Sequence, residues 1–334
     1  MTSSAEAPSE RSSQRRYPDF FIVGHAKSGT TALYEMLRRH PGIFMPSRKE
    51  PQFFARNPAP AEGEPLPLFE QTGLDPESLD DYLSLFAPAR PEELIGEGST
   101  FYLFSPIAPA RIAAAQPQAR IIAILREPAS FLRSLHLQMI QNQVETERDL
   151  RAALALEDAR RDGRQIPPGA RWPRALIYSD RVRYVEQLRR FRAAFGAEHV
   201  LVLIYDDFLA DNEGTVRRVL RFLGVEDEHP LEPVNANPTV AVRSLRLAAM
   251  WRTLRTGQGR VPRAARRTIK ALTSSRLRRS VLYPLRRRLV YAEAPRVDEA
   301  LMAELRSRFK PEVVALSEYL GRDLVTLWGY DAVV

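Results

Sequence analysis

Apolar residues along the chain form two patterns: short unbroken runs, and longer stretches in which apolar positions recur every three or four residues. The short runs are rich in β-branched and aromatic residues and predict buried strands at 20–23, 94–97, 120–125 and 199–205. The longer stretches predict helices at 30–39, 79–86, 107–115, 129–142, 175–195, 213–223 and 298–319. Strands and helices alternate, which is typical of a parallel sheet covered on both faces. The pattern therefore predicts an α/β fold, a single domain with a central parallel sheet flanked by helices.

The first predicted strand leads into a turn of small and polar residues and then directly into a helix. The turn, GHAKSGTT, occupies residues 24–31. The free N–H groups of a helix's first turn and the helix dipole attract anions, and ligands of parallel sheets bind at the carboxyl ends of the strands. Lys27 adds a full positive charge, and Ser28, Thr30 and Thr31 add hydroxyl donors. We expect this turn to hold a phosphate or a similar anion.

The order of residues in this turn separates it from two common nucleotide-binding motifs. In the P-loop of nucleotide triphosphatases the lysine follows the second glycine, whereas Lys27 precedes Gly29 by two positions. The dinucleotide-binding pattern G-x-G-x-x-G is not matched either. A purely structural strand-to-helix turn with an incidental lysine stays open as the alternative at this point.

The sequence KSGTT after a strand resembles the 5′-phosphosulfate loop of sulfotransferases that use 3′-phosphoadenosine 5′-phosphosulfate (PAPS). A second segment, IIAILREPASFLRS at 121–134, resembles the 3′-phosphate site of the same family. The resemblance implies that PAPS is bound by Lys27, Ser28, Gly29, Thr30 and Thr31 at its 5′ end and by Arg126 and Ser134 at its 3′-phosphate. A guanidinium at a strand end and a hydroxyl from the next helix suit a phosphate. The alternative for Arg126 is a surface ion pair with Glu127.

Further segments extend the resemblance over roughly residues 17–330. HPGIFMPSRKEPQFFA at 40–55 and EGSTFYLFSPIAPARI at 97–112 are similar to the heparan-sulfate-type and related bacterial sulfotransferases. The resemblance implies a P-loop-kinase-like sulfotransferase fold, PAPS as the co-substrate and no required metal. It also implies an acceptor with a hydroxyl or an amine, carried by a saccharide, a lipid-linked molecule or a small molecule.

The resemblance also implies the catalytic residues. Sulfuryl transfer needs a cation on the departing phosphate and a base for the acceptor's proton. We assign the first role to Lys27 and the second to Glu50, which lies in KEPQFF where the similar branch carries its catalytic glutamate. Glu97, at a predicted strand end, is either a second catalytic carboxylate or a buried partner that orders Lys27, and we favour the structural role. The alternative for Glu50 is a solvated charge in the run 48–50.

Two positions depart from related sulfotransferases. Gly98 stands where the heparan-sulfate-type branch has a lysine, so a cation that would help to hold the sulfonate is expected to be missing. The small-molecule sulfotransferases carry a catalytic histidine near this strand end, where this chain has Ser99 and Thr100. His136 follows Ser134 by two residues, about 200° around a helix, and is expected to face away from the site.

The composition is that of an ordinary folded protein, with 44% hydrophobic and 27% charged residues among 334. The chain has no cysteine, which excludes disulfides, thiolate catalysis and cysteine-ligated metal sites. No apolar stretch is long enough to span a membrane, and residues 1–16 lack the apolar core of a secretory signal. We therefore expect a disordered tail at 1–16, a sulfotransferase domain at 17–334 and a cytoplasmic location.

The net charge of +8 is concentrated in one basic segment, residues 243–288. This segment contains 15 lysines and arginines and no acidic residue, whereas the rest of the chain is net negative. By the resemblance, part of it covers the 3′-phosphate of the nucleotide. Its apolar residues at helical spacing among arginines suit a helix on an anionic surface. We predict peripheral contact with an anionic membrane at its inner face, or a polyanionic or lipid-linked acceptor, against the alternative of a solvated basic face.

Nucleic acid is not expected as a partner, because no aromatic stacking platform accompanies this charge. The acceptor pocket is expected to be lined by 57–76 and 143–175, whose residues indicate no particular acceptor chemistry. Two other classes of function stay open beside the sulfotransferase. One is a nucleotide-dependent small-molecule kinase, which would need Mg²⁺, and the other is a non-catalytic nucleotide- or membrane-binding protein.

Overall fold

The computed structural model describes residues 16–56, 76–168, 170, 173–230, 240–242, 291–293 and 296–333. Its strands are β1 Phe20–Ile22, β2 Ile43–Phe44, β3 Leu94–Gly98, β4 Arg120–Leu125, β5 Val200–Ile204, β6 Val240–Val242 and β7 Tyr291–Glu293. Its helices are α1 Thr30–Arg38, α2 Leu79–Ser84, α3 Ala108–Ala115, α4 Pro128–Gln141, α5 Leu150–Ala155, α6 Glu157–Arg161, α7 Tyr178–Arg181, α8 Tyr184–Phe195, α9 Tyr205–Ala210, α10 Asn212–Leu223, α11 Glu299–Leu320 and α12 Leu324–Leu327. Two 3₁₀ helices lie at Phe53–Ala55 and Pro173–Leu176.

Several predictions from the sequence lie outside these residues. They concern the N-terminal tail up to residue 15, the segment 57–75 and the basic segment. In the described part of the chain, no helix combines the length and the apolar character needed to cross a membrane.

The first five strands form one parallel sheet in the order β2–β3–β1–β4–β5. β1 is the central strand, with Phe20 opposite Gly96 of β3 on one side and opposite Arg120 of β4 on the other. β6 and β7 form a separate antiparallel pair. The predicted central parallel sheet is therefore confirmed.

Alternate residues of β1 pack into two separate hydrophobic cores, one on each face of the sheet. Phe21 and Val23 belong to the core that also contains apolar residues of α3, α4, α8 and α11. Phe20 and Ile22 belong to the core built with α1 and α10. Because both faces are covered, β1 and β5 are apolar throughout, and the molecule has three layers.

The parallel arrangement places the ends of four strands at one edge of the sheet. The turn 24–29 follows β1, Ser99 and Thr100 follow β3, Arg126 follows β4, and Tyr205 follows β5. This edge is where ligands of such sheets bind.

The prediction of one helix at 175–195 is wrong. The segment divides into a 3₁₀ turn, α7 and α8, with non-helical backbone at Ile177 and at Arg183, whose ψ angles are 88° and 61°. The break directs Arg181, at the end of α7, into the core against Phe101 and Phe104. Tertiary contacts thus override the helical spacing of the sequence.

No helix was predicted between residues 143 and 174, which were expected to line the acceptor pocket, yet this segment contains two short helices, α5 and α6. A buried ion pair links α6 to the residues before α5. Both Nη atoms of Arg160, on α6, donate to the Glu145 carboxylate, at 2.7 and 2.8 Å. The short elements β2, α9 and α12 were missed as well. Elements of two to six residues are too short for their periodicity to be recognised.

Candidate active site

The turn between β1 and α1 requires its two glycines. A Cβ atom on Gly24 would lie 2.5 Å from the backbone nitrogen of Ile124, so a side chain here would push β1 away from β4. Gly29 has a φ of 86°, and its Cβ would lie 3.0 Å from the Phe208 ring. Lys27 also has a positive φ, 67°, which is uncommon for a residue with a side chain. The backbone thus follows a tight path that the sequence alone indicated by its small residues.

The N-terminus of α1 is open toward the turn. Gly29 precedes the helix and supplies no side-chain cap, so the first N–H groups of α1 keep their capacity to bind an anion. The Ser28 hydroxyl is fully buried and has no hydrogen-bond partner among the described residues. Thr30 is buried as well. These donors fit a phosphate or sulfate group.

Two cations accompany this turn. Arg126 Nη1 donates to the carbonyl of Lys27 at 2.8 Å, and its guanidinium lies 4.9 Å from the centre of the Tyr205 ring. Burial and the neighbouring Arg126 lower the pKa of Lys27. Arg126 therefore both holds the turn and adds positive charge to it.

Glu127 does not serve as the ion-pair partner that was considered for Arg126. Its carboxylate caps α4, accepting from the N–H groups of Ala129 and Ser130 at 3.1 and 2.6 Å. It also accepts from the Tyr330 hydroxyl at 2.7 Å.

Ser134 and His136 both lie on α4 and are buried. His136 contacts the Tyr178 hydroxyl through Nδ1 at 3.0 Å and the Arg148 carbonyl through Nε2 at 3.1 Å. Burial lowers the pKa of His136. His136 thus belongs to the packing between α4 and the segment that follows it.

Glu50 lies against the end of β3. Its backbone N–H donates to the Gly98 carbonyl at 3.0 Å, and its φ is 64°. Thr100 donates to Glu50 Oε2 from its backbone N–H at 2.9 Å and from its hydroxyl at 3.1 Å. With its side chain 30% exposed, Glu50 is a positioned carboxylate at the edge of the sheet that still reaches solvent.

Lys49 connects Glu50 to the anion-binding turn. Its Nζ lies 2.8 Å from Glu50 Oε1 and 3.5 Å from the Thr30 hydroxyl. One side chain therefore spans the distance between the predicted base and the N-terminus of α1. In the sequence, Lys49 is only one charge in the run 48–50, and nothing there indicates this contact.

Glu97 is fully buried, and its described partners are two tyrosines in place of the expected Lys27. The hydroxyls of Tyr82 and Tyr102 donate to its Oε2 at 3.0 and 2.8 Å. Burial raises the pKa of Glu97 to about 7, although hydroxyl groups around it oppose the increase. The Tyr102 oxygen also accepts from the N–H of Phe54, at 3.3 Å. Glu97 thereby supports the segment that follows Glu50.

A buried cluster supports the turn from the other side. His25 Nε2 lies 2.8 Å from Gln187 Oε1, and its Nδ1 lies 3.4 Å from Arg181. Burial is the main cause that lowers the pKa of His25, and the charge of Arg181 adds to it. Arg181 packs on the rings of Phe101 and Phe104. Because His25 and Arg181 are 156 positions apart, their contact could not be recognised in the sequence.

Among the described residues, no group of three or more histidine, aspartate and glutamate side chains is arranged to hold a metal ion. The site consists of a turn suited to an anion, three cations (Lys27, Lys49 and Arg126) and the Glu50 carboxylate, at one edge of a parallel sheet. This combination is typical of α/β enzymes that bind and transfer a phosphate-like group. The sequence model of the sulfotransferase family matches residues 18–229, and the chain belongs to this family.

Several characterised proteins are similar to this chain. Heparan sulfate glucosamine 3-O-sulfotransferase 6 of human and of mouse is 29% identical over 220 residues, which are 65% of this chain and 56% of that protein. Human bifunctional heparan sulfate N-deacetylase/N-sulfotransferase 3 is 33% identical over 116 residues, 34% of this chain and 12% of that protein. The chain therefore spans about half of the first relative and a small part of the second.

A solved sulfotransferase from Alicyclobacillus acidocaldarius has a similar structure along nearly its whole length. The TM-score is 0.62 at 26% identity, covering 94% of this chain and 99% of the other. The predicted sulfotransferase fold is thus confirmed.

Proposed function

We propose that this enzyme transfers the sulfuryl group of PAPS to a hydroxyl or amine of an acceptor, with Glu50 as the general base. The observation that carries the proposal is the contact of Lys49 with both Glu50 and Thr30, at 2.8 and 3.5 Å. This contact supports the proposal because the Glu50 carboxylate and the N-terminus of α1 lie within the reach of one side chain. An in-line transfer needs this proximity between the base and the group that is transferred.

The residues of the turn suit the 5′ end of PAPS. The N–H groups at the start of α1 and the hydroxyls of Ser28, Thr30 and Thr31 would donate to the phosphosulfate, and Lys27 would lie at its bridging oxygen. Arg126 and Ser134 would hold the 3′-phosphate. The proposal requires no metal, because these cations supply the positive charge that the departing phosphate needs.

In the reaction, the acceptor oxygen or nitrogen attacks sulfur while Glu50 accepts the acceptor's proton. The bond between sulfur and the bridging oxygen breaks, and 3′-phosphoadenosine 5′-phosphate (PAP) leaves with the electron pair. Lys27 stabilises the charge that develops on the bridging oxygen. Thr100, donating twice to Glu50 Oε2, fixes the direction of the base.

Glu97 acts in this proposal as a positioning residue. It is fully buried and reaches the Glu50 segment through Tyr102, whose hydroxyl lies between Glu97 and the N–H of Phe54, and through Tyr82, whose ring packs on Phe53. Ser99 adds a second support, because its hydroxyl accepts from the N–H of Gln52 at 3.0 Å. A carboxylate without access to an acceptor is a poor candidate for a base.

For the acceptor, the relatives named above are O- and N-sulfotransferases of heparan sulfate, which supports a saccharide hydroxyl or amine. Lipid-linked and small-molecule acceptors remain within the proposal. Incubation with PAPS and extracts that contain acceptors, followed by mass spectrometry, tests it. An added sulfonate that depends on PAPS is the expected result, and phosphorylation from ATP with Mg²⁺ in its place would indicate a kinase.

We also propose that the basic segment contacts an anionic surface, with the enzyme in the cytoplasm. The sequence supports this through its 15 cations without an acidic residue, each contributing about 1 kcal/mol near anionic headgroups. The protein should sediment with phosphatidylserine vesicles at low salt and be released at high salt. Reversing the charges of Arg252 and Arg255 should weaken this binding. If the protein did not sediment with the vesicles at low salt, the basic segment would be interpreted as a solvated basic face.

A further inference from the structure

Lys49 lies in the candidate active site with a geometry that the proposed roles of the other residues do not explain. Its side chain is only 19% exposed, and Nζ contacts Glu50 on one side and Thr30 on the other. The ammonium also lies 5.9 Å from the centre of the Tyr34 ring, within the range of a cation–π contact. Thr30 begins α1, so the charge of Lys49 is held beside the open N-terminus of that helix.

The glycine at position 98 makes room for the Tyr34 ring, which lies beside the Lys49 ammonium. A Cβ atom on Gly98 would lie 2.8 Å from Cδ2 of Tyr34 and 3.7 Å from Cε of Lys49. Tyr34 is buried, and its hydroxyl donates to the carbonyl of Pro46, so its ring has little freedom to move. A side chain at position 98 would therefore displace the tyrosine and extend toward the Lys49 stem. The sequence lacks a cation at position 98, and the ammonium of Lys49, from the segment that pairs with the end of β3, occupies this region instead.

Lysine is rare in this chain, so its presence at position 49 suggests a need for an ammonium group there. The sequence contains 45 arginines and four lysines, so about one basic residue in twelve is a lysine. Two of the four, Lys27 and Lys49, lie at the same helix terminus. An ammonium is a compact charge whose three donors can rotate toward a moving group, whereas a guanidinium is a fixed planar fork. The two lysines thus stand where a compact and adaptable cation is useful.

We propose that Lys49 is a second sulfuryl-binding cation, which donates to a non-bridging oxygen of the transferred group; this rests on the proposed function. In the free enzyme Glu50 and Thr30 hold the ammonium in place. When PAPS is bound, the sulfuryl oxygens next to Thr30 take over part of this interaction. Glu50 Oε1 is thereby released to accept the acceptor's proton while the bond between sulfur and the bridging oxygen breaks.

A role limited to orienting Glu50 would account for only one of these observations. An ion pair with Glu50 explains the 2.8 Å contact, but it does not require the approach to Thr30 or the space left by Gly98. The two roles also differ in what they predict for binding. A sulfuryl-binding cation distinguishes PAPS from PAP, which lacks the sulfuryl group, whereas a residue that only orients the base does not.

The test is calorimetric titration of PAP and of PAPS, without acceptor, into wild type and Lys49→Met. Methionine keeps the length and apolar stem of the side chain and removes the charge. Arg221→Met is the matched control, because it removes one positive charge from a side chain on α10 that is 67% exposed and pairs with Asp227. Lys49→Gln serves as a second variant, and thermal unfolding checks that each variant is folded.

We expect Lys49→Met and Lys49→Gln to bind PAP as wild type does and to bind PAPS about tenfold to a hundredfold more weakly, the usual effect of losing a charged hydrogen bond. Turnover should fall together with PAPS affinity. Equal changes for PAP and PAPS, or no change for either, would overturn the role of Lys49 while leaving the proposed function intact. If wild type bound neither ligand, the proposed function itself would fail.

Discussion

The two glutamates of the site, Glu50 and Glu97, differ in their exposure to solvent and in their hydrogen-bond partners. Glu50 receives hydrogen bonds from Thr100 and Lys49 and keeps part of its surface in solvent. Glu97 lies beneath Tyr82 and Tyr102 with no exposed surface. The first carboxylate can meet an acceptor, and the second can only support the backbone around it.

Replacing Glu50 by glutamine should abolish most of the turnover. The variant keeps the shape of the side chain and removes the base, so we expect a decrease on the order of 10²–10⁴-fold with PAP affinity nearly unchanged. Steady-state kinetics and PAP titration measure the two effects. Glu35→Gln is the control, because this α1 carboxylate is 33% exposed, close to the exposure of Glu50, and pairs with Arg38. If Glu97→Gln lowered turnover in this way and Glu50→Gln did not, the base would have been assigned to the wrong carboxylate.

Replacing Glu97 by glutamine should change how stability depends on pH. The pKa of Glu97 is about 7 in the folded protein against an ordinary value of 4.5, so the folded state holds a proton that the unfolded state releases. This carboxyl therefore destabilises the fold increasingly as pH rises from 4.5 to 7. The unfolding free energy of Glu97→Gln, relative to wild type, should rise by about 3 kcal/mol over that interval. Urea unfolding at several pH values measures it, and a difference that is constant with pH would contradict the buried, proton-holding state.

Secondary-structure elements could be predicted from the sequence wherever their signals are local. β4 was placed at 120–125, as observed, because an unbroken apolar run is bounded by polar residues. The turn before α1 was recognised because two glycines and small polar residues leave few other conformations. These elements carry most of the predicted anion site.

Other features depend on contacts between distant parts of the chain, which local patterns do not contain. The interruption between α7 and α8 follows from the burial of Arg181 against Phe101 and Phe104. Lys49 reaches Thr30 only because β2 pairs with β3 and brings residue 49 beside the end of that strand. Both features depend on strand pairing and on packing between distant residues, so they could not be predicted from local sequence patterns.

The helices α5 and α6 should depend strongly on their buried ion pair. Arg160→Met leaves the Glu145 carboxylate buried without its partner, and we expect a loss of about 3–5 kcal/mol in unfolding free energy. The double variant Glu145→Gln/Arg160→Met should lose less, because no uncompensated charge remains. Chemical denaturation of the three proteins measures this. A single variant as stable as wild type would show that the pair does not hold the segment.

Across the molecule, the order of the parallel strands assembles the site from segments that are distant in the chain. Lys27, Glu50 and Arg126 come from different connections and meet at one edge because β3, β1 and β4 are adjacent. The resemblance to sulfotransferases supplied their predicted roles, and the topology brings them to the same edge of the sheet. The distances among them belong to the fold and could not be obtained from spacing in the sequence.

Whether this edge of the sheet binds PAPS is decided by thermal unfolding with PAP in the presence of EDTA, compared with ATP and Mg²⁺. PAP should stabilise the protein by about 2.7 kcal/mol at a hundredfold excess over its dissociation constant. Lys27→Ala and Arg126→Ala should each remove much of this stabilisation, since both cations lie at the turn. Stabilisation by ATP with Mg²⁺ and none by PAP would contradict the assignment of the site.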